Sequence, residues 1–393
     1  MSKLNFDPII LTQTLVKCPS ITPKDEGALN VVHNHLSHLG FKCTRLTFSD
    51  QNSPDVDNLF ATIGSDGKHL AFAGHTDVVP PGNEESWKYP PFSATIAEGK
   101  LFGRGAEDMK SNIACFISAT NSFIKKYGTD FGGQLSFIIT GDEEKEAING
   151  TVKIMEWTKK NKIIFNHCIV GEPTSNLYVG DKIKIGRRGS INFFITVKGV
   201  QGHTANSHRA ENPVHPLIRL LQNIISKPLD NGNEYFLPST IQIPTFDVHN
   251  SAANVIPEIA RATINIRFND IHTEKSLKAW LQEHINQVFQ DIPKTSCVFN
   301  TDQTGNAFIT KPSTLSKIVS SAIRKVTGKN NDPEMATDGG TSDARFIKDY
   351  CEVLELGIIN KTLHQINEYV KISDIKTLHD IYFALLEEYF EKN

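Results

Sequence analysis

Apolar residues recur at three- and four-residue intervals in five stretches of this chain, which is typical of helices with one buried face. The predicted helices cover residues 29–39, 113–124, 277–288, 315–326 and 375–385. Glycines stand at or near the end of several of them, where a left-handed residue commonly ends a helix.

Short apolar runs alternate with these helices. They cover residues 70–74, 135–140, 168–171 and 353–357, and polar residues or glycine bound each run. Continuous apolar runs between helices are typical of buried parallel strands. The sequence therefore predicts an α/β fold with a mainly parallel sheet covered by helices.

The middle of the chain has a different pattern. Residues 191–198 and 260–268 are predicted to be extended, and apolar and polar residues alternate strictly along the second run. Such alternation favours an antiparallel sheet with one solvated face. With helices predicted near 213–226 and 273–289, we interpret residues 189–301 as an inserted α+β domain. Residues 1–188 and 302–393 then form one discontinuous larger domain.

Composition narrows the classes of function. The 393 residues have 39% hydrophobic content, enough for two proper cores, and a net charge of −3 with scattered lysine and arginine. We therefore expect no nucleic-acid or membrane partner. The six cysteines form no CxxC pair, residues 1–15 do not resemble a signal peptide, and no apolar run approaches 18 residues. A cytoplasmic location is predicted.

Residues that can bind metals stand at the predicted strand ends. Ligands of open α/β sheets collect beyond the carboxyl ends of the strands, and His75, Glu143, Glu144 and Glu172 all occupy such positions. Taken singly, an acid pair is more often a solvated surface and a lone histidine is more often structural. Their joint placement instead favours a metal site that activates water.

Two further positions complete the candidate site. Asp108 lies before a predicted helix, and His364 lies near the end of the chain. Asp77 alternates with His75 in an extended segment, so its carboxylate is predicted to accept the second ring N–H of that histidine.

Eight segments resemble the di-zinc M20 amidohydrolases and peptidases, in order along nearly the whole chain. They are residues 75–82, 87–92, 103–110, 142–144, 186–190, 199–203, 339–346 and 362–368. The resemblance implies that Asp108 bridges two metal ions. It assigns His75 and Glu172 to one ion, Glu144 and His364 to the other, and the role of general base to Glu143.

The later segments narrow the activity that the resemblance implies. The implied activity is hydrolysis of the amide of N-succinyl-LL-2,6-diaminopimelate to succinate and LL-2,6-diaminopimelate, a step of lysine and diaminopimelate biosynthesis. Zinc is the expected metal, with cobalt or manganese as alternatives. Acetylornithine deacetylase or an aminopeptidase-like enzyme is the alternative activity. A catalytically silent binding protein is disfavoured because all five ligand positions and Glu143 are present.

The resemblance also implies a homodimer formed through the inserted domain. His203 of that domain is the candidate hydrogen-bond donor to the oxyanion, supplied across subunits. Without the resemblance, a structural role in a loop is the favoured interpretation of this histidine. Glu107 stands where the family usually has a small residue, and we expect its side chain to point to solvent.

A small polyanionic substrate calls for cationic and neutral hydrogen-bond donors in the binding pocket. The guanidinium groups of Arg187 and Arg267 suit carboxylates, although a surface ion pair is an equally good interpretation of Arg267. Neutral hydrogen bonds are expected from Asn254, Gly340, Thr341 and Ser342.

Overall fold

The structure is a computed structural model that describes residues 4–51 and 53–392. The first three residues of the segment considered as a signal peptide therefore lie outside the described residues. The chain divides into two units, which are described separately. The first comprises Met1–Ile185, Thr310–Ala336 and Ser342–Asn393, and the second comprises Gly186–Ile309 and Thr337–Thr341.

The helices of the described residues are, in chain order, α1 (Pro8–Val16), α2 (Ala28–His38), α3 (Ser111–Tyr127), α4 (Thr151–Lys160), α5 (Val214–Ile225), α6 (Glu274–Phe289), α7 (Thr314–Thr327), α8 (Ala344–Ile347) and α9 (Ile372–Tyr389). The strands are β1 (Lys42–Asp50), β2 (Ser53–Gly64), β3 (Lys68–His75), β4 (Thr95–Ala97), β5 (Lys100–Phe102), β6 (Gly133–Thr140), β7 (His167–Val170), β8 (Lys182–Lys184), β9 (Gly186–Arg187), β10 (Gly189–Lys198), β11 (Gly202–His203), β12 (Thr240–Asp247), β13 (Val255–Ile256), β14 (Ile259–Phe268), β15 (Ser296–Gly305), β16 (Phe308–Ile309), β17 (Glu334–Ala336), β18 (Glu352–Glu355) and β19 (Tyr369–Lys371).

The first unit contains an eight-stranded sheet in the order β1-β2-β6-β3-β7-β18-β8-β17. Strands β6, β3, β7 and β18 form its parallel centre, whereas β1, β2 and β6 pair antiparallel at one side. The parallel strands are the apolar runs seen in the sequence. Most of their side chains are buried, and Phe72 of β3 stacks on Phe116 of α3 with ring centroids 4.2 Å apart. Helix-to-strand packing of this kind is what a doubly covered sheet requires.

The second unit is an antiparallel sheet in the order β12-β14-β10-β15. The alternation predicted for residues 260–268 is present, because Ala262, Ile264 and Ile266 are buried and the residues between them are not. Helices α5 and α6 contribute Leu217, Leu281 and other apolar side chains to the same core. Helix α6 begins at a capping box made by Thr273 and Ser276.

The boundaries of the second unit differ from those predicted. Its main segment begins at Gly186 and not at residue 189, and ends at Ile309 and not at residue 301, and the unit also includes Thr337–Thr341. The reason is strand pairing, since β15 extends to Gly305 and β16 pairs with β9. None of the described helices combines the length and the hydrophobicity required to cross a bilayer.

Candidate metal centre

Three adjacent parallel strands of the first unit bring acids and a histidine to one edge of its sheet. His75 is the last residue of β3 and pairs with Thr140, the last residue of β6. Glu143 and Glu144 follow β6, and Glu172 follows β7, the other neighbour of β3. The shared edge explains why residues almost 100 positions apart in the sequence approach one another.

Asp108 lies at the centre of this group. Its Oδ1 is 3.2 Å from His75 Nε2, and its Oδ2 is 3.3 Å from His364 Nε2. His364 Nε2 is also 3.1 Å from Glu144 Oε1. On the other side of the carboxylate, His75 Nε2 is 3.8 Å from Glu172 Oε1.

Each oxygen of Asp108 thus faces one histidine–glutamate pair. Potential ligand atoms of His75, Asp108 and Glu144 all lie within 4.8 Å of one another. Imidazole nitrogens and carboxylate oxygens are the donor types that zinc and similar divalent ions accept. The residues present therefore fit two neighbouring divalent cations that share Asp108. Their role as ligands remains a prediction.

The charges of this cluster shift its pKa values strongly. Burial alone raises the pKa of Asp108, but the hydrogen bonds and charges of His364 and His75 hold it well below its usual range. Hydrogen bonds to Asp108 and Glu144 raise the pKa of His364 to about 10. Burial lowers the pKa of His75, yet Asp108 and the nearby acids raise it well above its ordinary value.

Asp77 contacts different groups from those predicted. The Nδ1 atom of His75 lies 2.9 Å from the backbone carbonyl oxygen of Asp77 and 3.6 Å from its carboxylate. The carboxylate instead accepts the backbone N–H groups of Glu143 and Glu144, with N–O distances of 3.1 Å. The carbonyl therefore orients the imidazole, while the carboxylate fixes the loop that carries both glutamates. Burial raises the pKa of Asp77 to about 6.

Glu143 is partly buried beside the cluster. Burial and the negative charge of Glu172 raise the pKa of Glu143 well above its ordinary value. A carboxylate with a raised pKa is suited to taking up and returning a proton near neutral pH.

The expectation that Glu107 points to solvent is wrong. Its side chain is 1% exposed, and its carboxylate accepts the backbone N–H groups of Lys361 and Thr362 and the hydroxyl of Thr362. The sequence could not reveal this contact, because the partners lie more than 250 positions away.

Two further buried residues beside the cluster were given no role from the sequence. They are Arg104 and Glu368, whose side chains form an ion pair with an N–O distance of 2.6 Å. Both lie in segments that carry the M20 resemblance, so motif position was the available signal.

His203 and Asn254 belong to the second unit, where they lie on neighbouring segments. Strand β11 pairs with β13, and Thr204 N donates to the carbonyl oxygen of Asn254 at 3.0 Å. Both side chains are exposed. His203 Nδ1 accepts the backbone N–H of Ala205 at 3.0 Å, which leaves the proton of the neutral ring on Nε2.

Arg187 is buried against the loop at residues 337–341 of the second unit. Its Nη1 donates to the carbonyl oxygen of Gly340 at 3.0 Å. Gly339 has φ of +96°, a backbone conformation that favours glycine, and a Cβ there would also displace Arg187 Nη1, which would lie 2.7 Å away. Thr341 belongs to the same loop.

Arg267 and Ser342 occupy different surroundings. Arg267 is half-buried on β14. Burial and the positive charge of Arg188 lower the pKa of its guanidinium group. Ser342 belongs to the first unit and is fully buried, and its hydroxyl donates to Glu355. That hydroxyl is therefore already engaged within the protein.

Comparison with known families identifies the class of the protein. The model of peptidase family M20/M25/M40 matches residues 71–388, and the chain belongs to this family. The predicted family and fold class are thereby confirmed.

Relatives with a specific function match the chain from end to end. A succinyl-diaminopimelate desuccinylase of Bradyrhizobium sp. (strain ORS 278) is 45% identical over 384 residues, which are 98% of this chain and 99% of the relative. The succinyl-diaminopimelate desuccinylase of Parvibaculum lavamentivorans is 47% identical over 385 residues, which are 98% of this chain and 96% of the relative.

Solved structures share the fold at much lower identity. Aminopeptidase PepT from Bacillus cereus has a TM-score of 0.76 at 17% identity, with 98% of this chain and 99% of that chain covered. A Bacillus subtilis protein described as a dinuclear metal binding peptidase of the M20 family has a TM-score of 0.67 at 13% identity, with 98% of each chain covered. At such identities, the likeness establishes the fold alone.

Proposed function

We propose that this chain hydrolyses the amide of N-succinyl-LL-2,6-diaminopimelate to succinate and LL-2,6-diaminopimelate, as its desuccinylase relatives are named to do. The observation that carries the proposal is the identity of 45–47% to these relatives over 98% of the chain. This places the reaction in lysine and diaminopimelate biosynthesis. The cytoplasmic location expected from the sequence stays a prediction.

Five residues of the first unit are proposed to hold two divalent cations, with zinc as the expected metal and cobalt as an alternative. His75 and Glu172 serve one cation, Glu144 and His364 serve the other, and Asp108 serves both. The proposal is supported by the position of Asp108 between two histidine–glutamate pairs. When bound, such cations would supply Lewis acidity, which would lower the pKa of the attacking water and polarise the carbonyl of the substrate.

Glu143 is proposed to be the general base. It takes a proton from the attacking water while the water oxygen bonds to the amide carbonyl carbon. It then returns the proton to the amide nitrogen as the C–N bond breaks, which yields the free amine and succinate. Its raised pKa supports this double role.

His203 is proposed to donate a hydrogen bond to the oxygen that becomes negative when the carbonyl is attacked. The proposal is supported by the bond from Ala205 to Nδ1, which leaves Nε2 with the ring proton, and by the exposure of the side chain. We propose that His203 acts across the subunits of a homodimer. Exposed apolar side chains of the second unit are consistent with such contacts: Phe246 of β12, and Ile218 and Ile225 of α5.

The substrate carboxylates are proposed to bind Arg187, Arg267 and the neutral donors Asn254, Gly340, Thr341 and Ser342. Arg267 has the strongest support, because Arg188 reinforces its positive field. For Gly340 and Ser342, the backbone N–H groups are the proposed donors.

Replacement of Arg267 by glutamine is expected to raise KM. A lost hydrogen bond to a charged group costs about 1.5–3 kcal/mol, which corresponds to a rise of roughly 10- to 100-fold. Steady-state kinetics with the succinylated substrate measure the change. Arg261→Gln is the matched control, because Arg261 lies on the same face of β14 and is exposed. Equal effects of the two substitutions would show that Arg267 acts only through general charge.

A substrate panel tests the proposed activity. Purified, zinc-loaded protein should hydrolyse N-succinyl-LL-2,6-diaminopimelate with kcat/KM about 100-fold or more above that for N-acetylornithine, because the site must pair the two additional carboxylates. A dipeptide in the same panel tests the aminopeptidase-like alternative. A preference for the acetylated substrate or for the dipeptide would contradict the proposal.

A further inference from the structure

Two distant segments of the first unit carry Asp108 and His364, the residues that approach each other to 3.3 Å. We name residues 104–108 the Asp108 segment and residues 361–368 the His364 segment. Neither segment belongs to the large sheet, and His364 itself lies outside regular secondary structure with a side chain that is 43% exposed. Local structure alone therefore does not fix their separation.

Glu368 of the His364 segment binds the backbone of the Asp108 segment. Its Oε1 accepts the N–H groups of Glu107 at 2.8 Å and of Asp108 at 3.2 Å. Its Oε2 accepts the N–H group of Gly105 at 3.1 Å. The side chain is 1% exposed, so water does not compete for these hydrogen bonds.

Glu107 of the Asp108 segment binds the backbone of the His364 segment in return. Its Oε1 accepts Lys361 N at 2.8 Å, while its Oε2 accepts Thr362 N at 2.8 Å and Thr362 Oγ1 at 2.7 Å. Each segment thus sends one buried carboxylate to the backbone N–H groups of the other.

Arg104 completes the arrangement. Its Nη1 pairs with Glu368 at 2.6 Å, and its Nη2 donates to the carbonyl oxygen of His364 at 3.2 Å. His364 has φ of +62° and Asn367 has φ of +63°. Such a left-handed backbone is uncommon for non-glycine residues, although His and Asn adopt it more readily than most.

We propose that Glu107 and Glu368 are positioning residues, which hold His364 and Asp108 at the separation that two neighbouring cations require. The proposal rests on the dinuclear site of the proposed function. Glu107 accepts the backbone N–H groups of Lys361 and Thr362, the first two residues of the His364 segment. Its loss is therefore expected to disturb the cation served by His364 and Glu144. The cation served by His75 and Glu172 should be affected much less.

The experiment is a calorimetric titration of zinc into chelator-stripped, full-length protein. The wild type should show two classes of site. Glu107→Ala should weaken one class by about 10- to 100-fold, as is typical when a group that supports a metal ligand is lost, and should leave the other class within about twofold. Glu107→Gln should recover part of the affinity. Its amide oxygen at the Oε1 position can still accept the N–H groups of Lys361 and Thr362, but its amide nitrogen cannot accept the Thr362 N–H that Oε2 accepts in the wild type.

Glu387→Ala is the matched control. Glu387 is another buried carboxylate of the first unit, and it accepts bonds from Lys126 and Tyr127. This variant should lose stability in urea or heat without a change in either zinc affinity. Thr362→Val provides a milder second test. It removes the hydroxyl contact with Glu107 and the hydroxyl's bonds to the backbone of Tyr369, but it keeps the backbone N–H groups that Glu107 accepts. It should weaken the same class of site as Glu107→Ala.

The proposal is overturned if folded Glu107→Ala binds both zinc ions as the wild type does, or if Glu387→Ala weakens the same class equally. If Glu107→Ala does not fold, Thr362→Val decides, and unchanged affinities in that variant would contradict the proposal. A wild type that fails to bind two ions would refute the dinuclear site of the proposed function itself, so the two failures are distinguishable.

Discussion

Replacement of Glu143 by glutamine is expected to lower kcat by about 10²–10⁴-fold, the usual contribution of a general base. Glutamine has nearly the same size but cannot take a proton from water. Asp77 would still hold the backbone N–H of residue 143, so the loop should keep its place. Steady-state assays of amide hydrolysis measure the decrease in kcat.

Metal content separates this effect from damage to the site. The zinc stoichiometry of Glu143→Gln should match that of the wild type, because Glu143 is not among the five proposed metal ligands, which are His75, Asp108, Glu144, Glu172 and His364. Glu146→Gln is the matched control, since Glu146 is an exposed acid on the same loop, and its kcat should stay close to that of the wild type. Near-full activity of Glu143→Gln would remove Glu143 from the role of base.

Removal of the metal ions by a chelator is expected to lower activity on the order of 10³-fold or more, because Lewis-acid stabilisation contributes several kcal/mol to the barrier. Dialysis against the chelator, elemental analysis and an activity assay test this expectation. Return of two equivalents of zinc should restore the activity. The same chelator saturated with zinc serves as the control and should cause no loss.

Chelation should also destabilise the first unit. Cations that bind only the folded protein add to its stability, and their removal leaves Asp108, Glu144 and Glu172 close together with only the histidines to balance their charge. The melting temperature should fall on chelation and recover with zinc. Full activity in protein shown to be free of metal would contradict the proposed chemistry.

The helices and central strands could be predicted because the local spacing of their apolar residues indicates which side chains are buried. The apolar run at residues 135–140 became β6, and the alternation at residues 260–268 became β14. The antiparallel strands β1 and β2 were not predicted, since polar and charged residues interrupt their apolar pattern. The start of the second unit was misplaced for a related reason, because the two-residue strands β9 and β16 are too short to carry a pattern.

The sequence alone determined which residue types stand at the ends of the strands, and hence that His75, Glu143, Glu144 and Glu172 were candidates for one site. A strand ends where its apolar run ends, so this information is local. Only the tertiary structure decided that Asp77 fixes the glutamate loop through its carboxylate and that Glu107 turns inward to the His364 segment. These contacts join backbone N–H groups to acids far away in the chain. Every residue type except proline supplies the same N–H, so no sequence pattern records them.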